Sequence, residues 1–84
     1  MQKLEKANHK MIKWGILGPG HIARVFCNAL RFSSTGSAES VASRDLEKAT
    51  DFASMFGIEI VHDGYEALLA DQSIDAVYIA NIHP

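Results

Sequence analysis

The apolar residues of the chain fall into short strand-like runs that alternate with stretches of helical period. Met11 to Leu17 is a run with few charges, as a parallel strand covered by helices on both faces requires, and it stops at Gly18. Ile22, Val25, Phe26, Ala29 and Leu30 then recur at i, i+3, i+4, i+7 and i+8, which lays one apolar stripe along a helix from about Gly20 to Phe32. After the polar loop Ser33 to Ser37, Ala38 to Ser43 is the place for a second strand, although Val41 alone there is β-branched. Asp45 is placed to cap a second helix with Leu46, Ala49, Phe52, Ala53 and Phe56 on its buried face, and Gly57 suits its end. Ile58 to Val61 reads as a third strand. Asp63 and Glu66 have the spacing of a capping box opening a helix through Leu69, and Asp75 to Ala80 is a fourth strand.

Strand and helix in alternation, without repeats or a low-complexity linker, specify βαβ units and an α/β fold. Right-handed crossovers set the first three strands side by side and send the fourth to the other side of the first. The expected architecture is a partial doubly wound parallel sheet of order 3-2-1-4 with helices on both faces. Reversal between strands 1 and 4 opens a crevice at their carboxyl ends, where open α/β sheets bind ligands. Gly18 and Asn81 lie at its mouth in this arrangement. The outer edge of strand 4 is left without a pairing neighbour, so self-association through that edge is expected.

Composition narrows the class. With 84 residues, 48% apolar and 21% charged, the chain has the make-up of one small globular domain with a modest core. A net charge of −2 gives no general attraction to nucleic acid or to an anionic membrane. No apolar run approaches the roughly 20 residues of a membrane span. Residues 1–10 carry Lys3, Lys6 and Lys10 without the apolar core of a secretory signal and read as a flexible leader, leaving residues 11–84 as the folded unit. The single cysteine, Cys27, cannot form an internal disulfide, in keeping with a reducing, cytoplasmic setting.

The chemistry centres on Gly18-Pro19-Gly20-His21-Ile22-Ala23, a G-x-G-x-x-A sequence that directly follows a strand and opens an amphipathic helix. That context gives the motif its mechanism: Gly18 permits the tight turn, Gly20 lets backbone approach a pyrophosphate, and small Ala23 lets the helix pack closely on the strand. The helix N-terminus adds N–H donors and a positive dipole end. The Rossmann dinucleotide-binding fold follows, with a purely structural turn as the competing account.

NAD-preferring domains place a carboxylate about 20 residues past the motif, at the end of strand 2, to bind the ribose hydroxyls. Here that place holds Ser43-Arg44, a hydroxyl and a planar cation suited to a 2′-phosphate, which favours NADP over NAD. Asp45 next door is an alternative ribose ligand with a competing role as helix cap. Asn81 and His83 follow strand 4 on the cofactor side and either border the nicotinamide half or belong to an exposed loop. His9, His21 and His62 lack metal-ligand spacing, so no metal is expected. Cys27, among core positions and with no evident base, reads as structural, as do Trp14 and the phenylalanines.

The segments from Lys13 to Ala23, from Val41 to Ala49 and from Tyr65 to Asp71 together resemble the N-terminus of the Gfo/Idh/MocA oxidoreductases, and the likeness continues through Ala80. They are most similar to the branch holding the trans-dihydrobenzenediol dehydrogenases and glucose–fructose oxidoreductases. The resemblance implies an NAD(P)-dependent dehydrogenase acting on a hydroxyl-bearing carbon of a sugar, cyclitol or diol. It implies further that Gly18, Pro19, Gly20, His21 and Ile22 form the pyrophosphate loop, that Ser43 and Arg44 meet the adenosine ribose or its phosphate, and that Ala80, Asn81 and His83 lie near the nicotinamide ribose. Two places depart from the family pattern. Glu39-Ser40 stands in strand 2 where relatives are more apolar, and Asn81-Ile82 replaces a usual Thr-Pro.

In the family the catalytic lysine and the substrate domain follow the segment matched here, so no residue of this chain is expected to act as general acid or base. The expectation is the N-terminal part of an NADP-preferring dehydrogenase, inactive by itself. The alternative is a non-catalytic nucleotide-binding or interaction module. A Rossmann methyltransferase is disfavoured, because Ser43-Arg44 offers no carboxylate to its ribose.

Overall fold

The computed structural model describes residues 11–80. Four parallel strands, β1 (Ile12–Leu17), β2 (Gly36–Ser43), β3 (Ile60–Asp63) and β4 (Ala76–Ile79), form one sheet of order β3-β2-β1-β4. Helices α1 (His21–Arg31) and α2 (Leu46–Phe56) cover one face, and the short α3 (Tyr65–Leu69) packs on the other. The α/β fold and its strand order are those expected from the alternating pattern. The leader proposed for residues 1–10 lies outside the described residues.

The core has two parts, one on each face of the sheet. Ile16 and Val41 meet Ala23 and Cys27 of α1 and Ala49, Phe52 and Ala53 of α2, while Leu17, Ala42 and Leu68 pack beneath α3. Phe26 stacks on Tyr78 with ring centroids 3.9 Å apart and meets Trp14 edge-on at 5.1 Å, which ties α1 to β4 and β1. The line of contact on α1 is set by small Ala23 and Cys27, with Phe26 and Leu30 flanking it. Ile22, Val25 and Ala29, expected on the buried stripe, are exposed instead, because the helix meets the sheet along the neighbouring line of Ala23 and Cys27. Leu46, in the first position of α2, is likewise exposed, and Phe32, past the end of α1, is 88% exposed rather than in the core.

Strand 2 begins two residues earlier than its composition indicates and contains a bulge. Trp14 pairs with Ala38 but Gly15 pairs with Ser40, so Glu39 is an extra residue in the ladder. Its carboxylate accepts a 2.7 Å hydrogen bond from Ser37 Oγ. The bulge resets the alternation so that Val41 reaches the α1–α2 core and Ala42 the α3 core, and it takes the polar Glu39 out of the ladder while Ser40 stays buried opposite Gly15.

Two boundaries shift for local reasons. Gly57 closes α2 in the left-handed region (φ 66°), and the Ile58 N–H bonds Ala53 O at 3.0 Å, so Ile58 is spent as the buried residue of the helix-end motif and β3 starts at Ile60. Asp63 stays in β3 opposite Ser43, so the position before α3 falls to Gly64 and the expected Asp63 cap does not form. Asp71, just after α3, is drawn to three groups. Its Oδ2 lies 2.7 Å from His62 Nε2, and its Oδ1 accepts from Ser73 N and Oγ at 2.8 and 2.6 Å. Asp75 fixes the start of β4 by bonding both Lys13 backbone groups.

Candidate functional site

Gly18 and Gly20 bracket the passage from β1 into α1, and the backbone there needs glycine. Gly18 has φ 93°, while Gly20 has φ 140° and ψ −169°, a region closed to side-chain-bearing residues. Among the described residues, no atom beyond Gly20 and its chain neighbours lies within 4 Å of the place a Cβ on Gly20 would take. Backbone and open space thus meet at the head of α1, the cradle that a pyrophosphate needs.

The first turn of α1 has no side-chain cap and no acidic residue, which leaves its N–H groups to an outside acceptor. Helix α2, starting at the same end of the sheet, is closed: Asp45 Oδ1 accepts from Glu47 N at 3.0 Å and Lys48 N at 3.3 Å. Asp45 therefore serves as a helix cap, the competing role foreseen for it.

Beside the glycine loop lies a cleft of about 330 Å³ lined by Gly18, Pro19, Ser43, Arg44, Asp45, Lys48 and Tyr65. Ser43 is buried at the end of β2, and its Oγ accepts the Asp45 N–H at 3.1 Å. That contact occupies one lone pair and leaves the hydroxyl hydrogen for a ligand. Arg44 is exposed at the rim with its Cζ 5.7 Å from the Tyr65 ring centroid.

Of the residues expected at the site, the fold brings Gly18, Pro19, Gly20, Ser43 and Arg44 together. His21 and Ile22 are exposed in the first turn of α1 next to them. The Ala80 N–H bonds Leu17 O at 2.9 Å, which sets Ala80 beside Gly18 at the carboxyl ends of β1 and β4. Asn81 and His83 lie outside the described residues.

Lys48 and Tyr65 line the cleft without having been foreseen. Lys48 sits in the first turn of α2, where the helix dipole disfavours a cation, and that misplacement was the available signal for an anion nearby. Tyr65 carried no such signal, since it joins the cleft only because β3 lies beside β2. Cys27 is buried, and desolvation raises its thiol pKa from 9.0 to about 11 against a smaller lowering by Arg31, so it stays protonated and unreactive. Among the described residues no cluster of three or more His, Cys, Asp or Glu is placed to hold a metal, and no helix is long and apolar enough to cross a membrane.

Residues 12–83 match the profile of the Gfo/Idh/MocA oxidoreductase family, whose Rossmann fold binds NAD. The chain belongs to this family. Trans-1,2-dihydrobenzene-1,2-diol dehydrogenase of Xenopus laevis is 40% identical over 74 residues, covering 86% of this chain and 22% of that protein. The enzyme of the same name from Mus musculus is 40% identical over 77 residues, covering 87% and 22%. The chain thus spans 22% of the length of these curated relatives.

Solved Gfo/Idh/MocA structures superpose well. The 3-ketoreductase KijD10 of Actinomadura kijaniata, solved with NADP and TDP-benzene, gives a TM-score of 0.78 at 33% identity over 84% of this chain and 22% of its own. Myo-inositol dehydrogenase of Lactobacillus casei, solved with NAD(H) and myo-inositol, gives 0.78 at 26% identity over the same shares. One neighbour holds NADP and the other NAD(H), so family and fold establish an NAD(P)-binding Rossmann domain and leave the preference to local residues.

Proposed function

We propose that the chain binds NADP in preference to NAD, as the cofactor-holding part of an oxidoreductase that moves hydride to or from a hydroxyl-bearing carbon of a sugar, cyclitol or diol. The observation that carries the preference is the cleft at the end of β2, where Ser43, Arg44 and Lys48 present a hydroxyl and two cations. The position that would hold a ribose-binding carboxylate is taken by Ser43, and the nearby Asp45 is engaged as a helix cap. A 2′-phosphate finds donors there, whereas an unphosphorylated ribose meets Ser43 at the end of β2 in place of a carboxylate.

In this reading the pyrophosphate lies against Gly18, Pro19 and Gly20 and accepts from the first-turn N–H groups at His21 and Ile22. Ala80, with Asn81 and His83 beyond it, borders the nicotinamide ribose. The nicotinamide supplies the hydride chemistry, and these residues hold and orient the molecule that carries it. The relatives' names, a dihydrobenzenediol dehydrogenase, a 3-ketoreductase and a myo-inositol dehydrogenase, support a substrate class of hydroxyl-bearing carbons and their ketones. The chain by itself is a cofactor holder without turnover, in keeping with a cytoplasmic dehydrogenase segment.

The test is a titration with NADPH and NADH at fixed low salt, following nicotinamide fluorescence and thermal stability together. Saturable NADPH binding, weaker in Arg44→Ala and exceeding that of NADH, is the expected result. Equal affinities, or no loss in Arg44→Ala, would refute the assigned phosphate contact.

One observation favours a second reading, an interaction module. Among the described residues β4 pairs only with β1, and Ile79 on it is 61% exposed. Self-association through this edge is the expected form of such an interaction. Light scattering that finds a monomer at high concentration would count against it.

A further inference from the structure

The Arg44 side chain lies over the ring of a residue from another element. Arg44 belongs to the turn between β2 and α2, and Tyr65 opens α3. The pairing of Ser43 with Asp63 across β2 and β3 brings the two turns side by side. The guanidinium then stands over the Tyr65 ring with Cζ 5.7 Å from its centroid, and both residues line the cleft with Ser43 and Lys48. We infer that Tyr65 is a positioning residue for dinucleotide selectivity, its ring fixing the Arg44 guanidinium for a 2′-phosphorylated ribose. The inference rests on the reading of Arg44 as phosphate ligand given above.

The five N–H groups of a guanidinium lie in its plane, so a ring against one face leaves all of them outward and available. An exposed arginine otherwise samples many rotamers, and ordering it on a ligand costs conformational entropy. Tyr65 meets part of that cost before the ligand arrives. A cofactor without the 2′-phosphate makes no use of the guanidinium N–H groups, so the benefit falls on NADP and not on NAD. The effect of Tyr65 is therefore a ratio of affinities, which a general loss of folding would not produce.

The experiment compares Tyr65→Leu, Tyr65→Phe and Arg44→Ala in the 84-residue chain, with fluorescence titrations of NADPH and NADH and proton NMR of the Arg44 side chain without cofactor. In the unmodified chain the Arg44 side-chain protons are expected upfield, in the shielding zone of the ring. Tyr65→Leu should abolish that shift and weaken NADPH binding about three- to fivefold, the range of an exposed cation–π contact, with NADH binding unchanged. Tyr65→Phe should preserve both the shift and the affinity ratio. Unshifted Arg44 protons in the unmodified chain would overturn the inference, whether or not Tyr65→Leu folds. Equal weakening of both cofactors by Tyr65→Leu would also overturn it, even if Arg44→Ala loses NADPH selectively. If the unmodified chain binds no NADPH, or Arg44→Ala leaves its binding intact, the reading beneath fails and takes the inference with it.

Discussion

Ser40 faces Gly15 across the β1–β2 ladder, and its Oγ, buried without a hydrogen-bond partner among the described residues, lies 3.2 Å from where a Cβ on Gly15 would stand. A buried hydroxyl that makes no bond costs stability, so Ser40→Ala should stabilise the fold by about 1 kcal/mol. Gly15→Ala should act the other way. Its Cβ would come within 2.7 Å of Ile74 Cδ1 and 3.0 Å of Leu68 Cδ2, a crowding expected to cost about 1–2 kcal/mol. Urea midpoints at constant slope measure both, and a lower midpoint for Ser40→Ala would show that the hydroxyl has a partner after all.

Gly20→Ala separates strain from space. The methyl group meets no atom of the described residues beyond its chain neighbours within 4 Å, yet the backbone at φ 140° and ψ −169° is closed to alanine, so a loss of about 1–3 kcal/mol is expected from conformation alone. The open space is the proposed seat of the pyrophosphate, so NADPH and NADH should weaken together. Retained affinity for both would place the pyrophosphate elsewhere.

Asp45 can be tested by charge and by cap separately. Asp45→Ala removes the acceptor for Glu47 N and Lys48 N and should cost about 1 kcal/mol, while Asp45→Asn keeps a good cap. Asp45→Asn also removes a negative charge from the cleft, so NADPH should bind more tightly with stability nearly unchanged. A selective loss of NADH binding in Asp45→Asn would instead identify Asp45 as a ribose ligand.

Cys27 should resist alkylation at pH 8 in the folded chain and react on unfolding, because burial holds its pKa near 11. The folded pKa is raised, so the stability linked to the neutral thiol is present below the ordinary 9.0 and is lost as pH rises through about 11. Iodoacetamide labelling followed by mass spectrometry, with and without urea, reads the first effect. Fast labelling of the folded chain would contradict the burial.

Asp71 works in the opposite direction. The Ser73 hydroxyl first, then His62 and the Ser73 N–H, lower its pKa from 3.8 to about 2. A depressed folded pKa means that its contribution to stability is present above 3.8 and is lost as pH falls through about 2. An NMR titration of the Asp71 carboxyl carbon should give a midpoint near 2, and Ser73→Ala should raise it. A midpoint near 3.8 in the unmodified chain would mean that the hydroxyl and imidazole contacts do not persist in solution.

Much of this protein is local information. Gly18 and Gly20 directly after an apolar run, the Asp45 cap, the Gly57 stop and the alternation of strand and helix specify the elements, and the handedness of βαβ crossovers turns their sequence order into the sheet order 3-2-1-4. Short-range physics decides each of these, so the chain written in one dimension contains them. The glycine loop and the Ser43-Arg44 pair were legible for the same reason.

Tertiary packing decided the rest. Whether Ile22 or Ala23 faces the sheet depends on how closely α1 approaches it, and the periodic pattern alone cannot say which of two adjacent stripes wins. The bulge at Glu39 lets Ala38 and Val41, three positions apart, both face the α1–α2 core, a choice of face that only the pairing with β1 fixes. Tyr65 reaches Arg44 only through the pairing of β3 with β2, a contact between residues 21 positions apart that no local rule encodes. Sequence determined the elements and the loop, because their causes lie within a few residues of one another; the walls of the cleft came from the assembled sheet, because their causes lie across it.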